Sequence, residues 1–258
     1  MSDILSEVQN HIQLITFNRV EKHNAFDDSL LAHLQLLIDD AQKNPKIRVI
    51  ILKSHGKHFS AGADAAWMQR MVTFDEQKNH EDALVLAQAM HTLYESTKPI
   101  IAMPHGAAFG GGAGIVAACD IAIAADDARF CFSEVRLGLV PAVISPYVIK
   151  AIGERTASAL FMSAEVFSAK RAYELKLVHQ CVAKDQLLAH TLQYAENIAA
   201  LAPKAVPECK ELTRRVSGKA IDADLQDMTA SIIAKRRISS EGQKGLKAFL
   251  DKKTPNWD

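Results

Sequence analysis

Residues 107–120 read AAFGGGAGIVAACD, a short apolar run that opens through three consecutive glycines onto a helix of small residues. Gly110, Gly111 and Gly112 let backbone N–H groups approach a ligand oxygen where a Cβ would stand in the way. The start of a helix adds partial positive charge at the same point. The turn therefore suits an anion, either a standing phosphate or an oxyanion that forms only during a reaction. Residues elsewhere in the chain have to choose between the two.

Upstream, Val49-Ile50-Ile51-Leu52 reads as a buried strand and Phe59-Ser60-Ala61-Gly62-Ala63-Asp64 as a small-residue turn. Trp67, Met68 and Met71 follow at helical spacing. Two strand–turn–helix units thus each present a backbone donor at a helix start, and two such donors meeting on one carbonyl oxygen form an oxyanion hole. A third segment, Phe132-Ser133-Glu134-Val135-Arg136-Leu137-Gly138-Leu139-Val140-Pro141, places the Glu134 carboxylate at the end of an apolar strand, ahead of a Gly/Pro turn.

Around these segments the chain alternates strand and helix. Ile12, Leu14 and Ile15 with a turn at Gln9-Asn10-His11 predict an opening hairpin, and Ser29 to Lys43 a helix with Leu30, Leu31, Leu34, Leu37 and Ile38 on one face. Strand 47–53, helix 75–96, strand 99–103, helix 111–118 and strand 120–124 continue the pattern, which calls for parallel strands joined by right-handed crossovers. Strand signals stop near residue 183. Helices over 186–201, 204–216, 220–237 and 241–250 follow, divided by Pro203, Ser217-Gly218 and Ser239-Ser240. The expected organisation is an α/β core over 1–183 and a helical region over 184–258.

Thirty basic and thirty acidic side chains cancel, which argues against a general binder of nucleic acid or of anionic membranes. Lys235-Arg236-Arg237, the dense basic cluster, reads as an exposed helix face. Cys119, Cys131, Cys181 and Cys209 lack CxxC spacing and are expected to be buried reduced thiols. No metal-ligand cluster is evident, and His58 and His105 read as turn-stabilising residues. The opening MSDILSEVQN lacks a basic stretch followed by an apolar one, and no apolar run reaches membrane-spanning length, so a cytoplasmic protein is expected.

Taken together, Asn18-Arg19-Val20-Glu21-Lys22-His23-Asn24-Ala25, FSAGAD, HGAAFGGG, CDIAIA, FSEVRLGLVP, AIGERTA and AYELKLV, in this order, resemble the enoyl-CoA hydratase/isomerase (crotonase) family nearly end to end. The resemblance implies a ββα spiral core with a C-terminal all-helical trimerisation region, and a homotrimer or dimer of trimers. It assigns oxyanion-hole N–H groups to Ala63 and Gly111, the catalytic carboxylate to Glu134, and to Ala142 a backbone N–H that helps hold the reacting water. Lys22, Ala25, Ala61, Asp64, Met68 and Gly110 become candidates for contact with an acyl-CoA substrate. Asp64 has a second reading, as the cap of the following helix. Coenzyme A belongs to the substrate, and no separate cofactor is implied.

One position departs from the family's two-carboxylate hydratases, which carry a second glutamate where this chain has Gly114. The lone Glu134 must then both take a proton from water and return one to C2, a task suited to a carboxyl whose pKa burial has raised. Strings such as LGLVPAVISPYVIKAIGER and FSAGADAAWMQRM resemble methylglutaconyl-CoA and isohexenylglutaconyl-CoA hydratases, implying an acyl group with a free carboxylate. Arg70, Arg136, Lys150 and Ser145 are candidate readers of that carboxylate. The resemblance implies hydration of a 2-enoyl thioester, with 3-methylglutaconyl-CoA of leucine breakdown as the expected substrate; double-bond isomerisation of a 3-enoyl thioester by one base and noncatalytic acyl-CoA binding are the alternatives.

Overall fold

Local patterning resolves into nine strands and eleven helices among residues 2–257, which the computed structural model describes. The hairpin of β1 (Ile4–Gln9) and β2 (Ile12–Phe17) is antiparallel and turns at Asn10 and His11, both at positive φ. Helix α1 (Asp28–Lys43) begins where the Asp27 carboxylate accepts the Leu30 N–H at 3.0 Å, and buries Leu30, Leu31, Leu34, Ile38 and Ala41. Strand β3 (Val49–Ser54) returns parallel to β2, pairing Val49 with Ile12. Then come α2 (Ala65–Met71), α3 (Glu76–Glu95), β4 (Ile100–Ala102), β5 (Ala107–Phe109), α4 (Gly111–Ala118), β6 (Ile121–Ala125) and β7 (Arg129–Cys131). They lead into α5 (Ser145–Ile152), α6 (Glu154–Ser163), β8 (Phe167–Ser168), α7 (Ala169–Glu174) and β9 (Gln180–Val182).

The strands sort into two sheets. The larger runs β1-β2-β3-β4-β6-β9, parallel after its opening hairpin; its inner strands β2, β3, β4 and β6 are mostly apolar because both faces are buried, while the edge strands β1 and β9 are more exposed. The smaller runs β5-β7-β8, with β5 and β7 parallel. A single bridge between Ser60 and Ala108 adds the FSAGAD turn to its free edge. Each turn of the spiral therefore sends one strand to the large sheet, a shorter one to the small sheet, and then a helix or turn outward. The candidate site residues lie just past that second strand, in the turn or helix that follows.

The chain divides into two compact units at Ala195/Glu196, inside α8 (Leu187–Ala199). The second unit contains α9 (Ala205–Val216), α10 (Ala223–Ile238) and α11 (Ser240–Leu250). Within it Arg236 pairs with Glu208 at 3.3 Å and with Glu241, and Ser239 caps α11 through the Gly242 N–H. No helix among the described residues is long and apolar enough to cross a membrane.

Two expectations need correction. Of the four cysteines only Cys131 is buried; Cys119 is half-buried, and Cys181, on the edge strand β9, and Cys209, on α9, are exposed. Glu134 does not end a strand. β7 stops at Cys131, and Glu134 opens a 3-10 turn, Glu134–Leu137, that Gly138 closes in the left-handed region. The tighter turn swings the carboxylate back toward Gly110 instead of letting it continue along the strand.

Candidate active site

The small sheet sets three neighbouring chains in register: Ser60 opposite Ala108, and Ala108 opposite Phe130. Ala63 lies three residues beyond Ser60, Gly111 three beyond Ala108, and Glu134 four beyond Phe130. Parallel strands that exit the same edge deliver residues at equal offsets to the same place. Sheet register thus gathers residues that sequence separates by more than seventy positions.

Two amides are left over by the pairing itself. The bridge of Phe26 to Ala63 consists of the Phe26 N–H donating to the Gly62 carbonyl at 2.9 Å and the Asp64 N–H donating to the Phe26 carbonyl at 2.8 Å. Both bonds belong to Phe26, so the Ala63 N–H is not used. Gly111 opens α4, and its N–H comes ahead of the first bonds of that helix, which Ala113 and Gly114 make to the Gly110 carbonyl. Neither amide donates to any group among the described residues. Ala63 stands one residue ahead of the Asp64 cap of α2, so its donor is a turn amide; only Gly111 adds a helix start.

Glycines make this closeness possible. Gly110 adopts φ 51°, and a Cβ there would lie 3.2 Å from Glu134 Oε1. A Cβ at Gly111 would lie 2.5 Å from the tip of the Phe26 ring. That ring meets Trp67 edge to face at 6.1 Å, so one buried phenylalanine props both donor turns.

The Glu134 carboxyl is largely withdrawn from water. Its Oε2 atom is buried and has no hydrogen-bond partner among the described residues. Burial pushes its pKa above the ordinary carboxylate value, with only its own backbone N–H opposing. A buried, unpartnered oxygen on a carboxyl that faces Gly110, next to the unspent Gly111 amide, has the makings of an acid–base group near an anion site.

At Gly114 the structure explains the missing carboxylate. A Cβ there would fall 2.2 Å from Ile144 Cγ2 and 2.7 Å from Ile144 Cβ. Ile144 is 2% exposed and fills the space a larger residue at 114 would take. Ala142 requires a correction: its N–H, expected on the reacting water, donates instead to the Val140 carbonyl at 2.8 Å, because the chain makes a tight turn through Pro141.

The remaining candidates form a rim. Arg19, absent from the candidate residues read from sequence, is 4% exposed and meets Asp3 at 3.3 Å, Asp27 at 2.9 Å and Asp64 at 3.2 Å. It also donates to the Ala25 carbonyl at 3.0 Å. Asp64 is consumed: Arg19 and Lys22 flank it, and the Ala66 and Trp67 N–H groups of α2 cap onto it. Burial opposes its ionisation, but the Lys22 ammonium at 2.8 Å and those amides outweigh burial and hold its pKa below the ordinary value. Lys22 and Ala61 are exposed, Met68 is half-buried, and Ala25 spends its N–H on Lys22 and its carbonyl on Arg19. Asn24, likewise not singled out by sequence, pins three segments: it accepts from the Arg19 N–H and donates to the His55 and His58 carbonyls.

Of the proposed carboxylate readers, Arg70 is paired with Asp28 at 2.7 Å and Arg136 donates to the Ala164 carbonyl. Lys150 lies 5.1 Å above the Tyr94 ring, and Ser145 donates to the Ala142 carbonyl at 2.8 Å. Among the described residues no group of three or more His, Cys, Asp or Glu is placed to hold a metal ion.

Known proteins resemble this chain along nearly its whole length. The family model described as enoyl-CoA hydratase/isomerase matches residues 7–258. A crystal structure from Legionella pneumophila, provisionally described as an enoyl-CoA hydratase/isomerase (crotonase), is 58% identical over 100% of both chains, with a TM-score of 0.96. An enoyl-CoA hydratase structure from Shewanella pealeana is 38% identical over 99% of this chain and 96% of that one, with a TM-score of 0.95. Among curated relatives, the 2,3-dehydroadipyl-CoA hydratase of Escherichia coli is 29% identical over 100% of this chain and 99% of its own.

Proposed function

Since this chain belongs to the enoyl-CoA hydratase/isomerase family, we propose that it is a hydro-lyase that adds water across the C2=C3 bond of a 2-enoyl-CoA thioester. The Ala63 and Gly111 N–H groups hold the thioester oxygen as it gains enolate charge, which favours the transition state over the ground state. Glu134 takes a proton from the attacking water and returns one to C2. The observation that supports this reading is that two unspent amides and one buried, unpartnered carboxyl oxygen lie three to four residues beyond register points of one small sheet.

For the acyl group we propose 3-methylglutaconyl-CoA, a substrate with a free distal carboxylate. The sequence strings around Leu137 to Arg155 support it, as does a relative whose name gives a dicarboxylic acyl-CoA as its substrate. Lys22, Ala61, Met68 and Gly110 line the approach for the coenzyme A arm. Exposed apolar side chains in both units, Leu137 and Val140 in the first and Ile221 and Phe249 in the second, support assembly as a trimer or a dimer of trimers.

Purified protein incubated with crotonyl-CoA, 3-methylglutaconyl-CoA and a 3-enoyl-CoA, followed by thioester absorbance and solvent deuterium uptake, tests the reading. Hydration of both 2-enoyl substrates, faster with the glutaconyl one, is expected. Charge-removing changes at Arg70, Arg136 and Lys150, scored by the ratio of those two rates, test which cation reads the distal carboxylate. One observation favours a second reading: Ile144 closes the Gly114 position, leaving a single carboxyl, which suffices to shift a proton from C2 to C4 in an isomerase. Turnover of the 3-enoyl substrate alone would replace hydration with that reaction.

A further inference from the structure

The turn that carries Ala63 and the strand that carries Gly111 are laced together by main-chain bonds. The Phe59 N–H donates to the His105 carbonyl at 2.9 Å, the Ser60 N–H to the Ala107 carbonyl at 3.0 Å, and the Phe109 N–H to the Ser60 carbonyl at 3.0 Å. At the head of this lace the Ala107 N–H meets a side chain: it donates to Nδ1 of His58 at 3.0 Å. His58 is itself held, since its carbonyl accepts from Asn24 at 2.7 Å and from Ser54 at 3.1 Å. Its ring packs edge to face against His23 at 5.2 Å.

A ring that accepts at Nδ1 carries its proton on Nε2 and is neutral. A second proton would set an N–H against the Ala107 N–H and break the contact. We propose that His58 is a positioning residue, the Nδ1 acceptor that locks the strand leading to Gly111 against the turn leading to Ala63, and that its protonation loosens the paired amides. The surroundings keep the lock closed near neutrality. Burial first, then His23, Lys57, His105 and Lys184, hold its pKa below the ordinary 6.5. Asp127, which acts on the neighbouring His105, is taken up by Lys184 at 2.6 Å and by the Gly106 N–H at 3.2 Å.

This inference rests on the oxyanion reading of Ala63 and Gly111, and the test separates the two. In His58→Asn the amide oxygen stands near the place of Nδ1, accepts a hydrogen bond and does not titrate; in His58→Ala the acceptor is gone. Profiles of kcat/KM against pH are expected to fall on the acid side with a slope approaching two in the wild type, one proton from Glu134 and one from His58. His58→Asn is expected to keep the neutral-pH rate with a slope of one. His58→Ala is expected to lose roughly a hundredfold in kcat at all pH values, the cost of displacing a reacting group by about an ångström, with KM little changed.

Hydrogen exchange at the Ala107 amide, measured without substrate, supplies the independent readout. Protection should fall on acidification in the wild type and persist in His58→Asn. If exchange behaves so while the rate profiles of wild type and His58→Asn coincide, the oxyanion reading fails and the lock stands. If Ala107 protection is the same at every pH in both proteins, the proposal for His58 is overturned.

Discussion

Filling the space above Gly114 is the most direct physical test of the one-carboxylate site. In Gly114→Ala the new methyl carbon is built 2.2 Å from Ile144 Cγ2 and 2.7 Å from its Cβ, whereas carbon atoms rest about 3.5–4.0 Å apart. Ile144 must retreat by more than an ångström. Its Cβ is one of the atoms in the way, so a rotamer change does not relieve the clash and the backbone at the start of α5 has to move. Overpacking of this kind costs about 1–3 kcal/mol, offset by the roughly 1 kcal/mol that alanine gains over glycine inside a helix. Ile144→Gly alone opens a cavity and costs at least about 2–5 kcal/mol. Combined, the two changes relieve each other, and the cycle should show a favourable coupling of about 1–3 kcal/mol. Urea unfolding of the four proteins at one fixed protein concentration measures it. Energies that add to within about 0.5 kcal/mol would refute the contact. The same logic predicts that Gly114→Glu is accepted only together with Ile144→Gly.

Glu134→Gln should lower kcat by about 10²–10⁴-fold, the range for loss of a general acid–base group, measured on whichever enoyl-CoA the enzyme turns over best. The same change should stabilise the fold at neutral pH. The folded pKa of Glu134 lies above its unfolded value, so its favourable contribution is complete below the unfolded pKa and is lost as pH rises through the folded one. Thermal melts of the two proteins should therefore converge below about pH 4.5 and separate above it; a stability gap that is flat with pH would contradict the burial argument. Replacing Arg19 with methionine removes its pairs with Asp64 and Asp27, leaving Asp64 to Lys22 and the α2 amides, and should cost up to about 3–5 kcal/mol in urea unfolding, the range for breaking a buried ion pair.

Much of the scaffold was legible because it is written in local signals. The 111–118 helix matches α4 residue for residue, and the helix expected over 29–43 gains only Asp28, since Asp27 is the cap. The glycine run is equally local: backbone approach demands it wherever the chain passes Glu134 and Phe26 so closely. Arg19, Asn24 and Ile144 could not be found this way. An arginine in a polar turn looks the same whether it is solvated or holds three carboxylates, and the burial that separates the two cases comes from Asp3 and Asp64, far off in sequence. Ile144 is an ordinary apolar residue in PAVISPYV until Gly114 is brought beneath it. Glu134 was found by residue type but misplaced in conformation, because an apolar run ahead of a Gly/Pro turn does not distinguish a longer strand from a 3-10 turn.

Two of the three proposed reacting groups are main-chain amides, which have no residue type to read, and what specifies them is the number of residues past a register point. The pairing of Ser60 with Ala108 and of Ala108 with Phe130 fixes that count at three, three and four. A slip of one residue would exchange the unspent Ala63 amide for the Gly62 or Asp64 amide, which are bonded to Ser60 and Phe26. Phe26 guards against such a slip twice over. Its backbone closes the bridge that leaves Ala63 free, and its ring meets the bare face of Gly111. What places the two amides is therefore a residue with no part in the proton transfers assigned to Glu134.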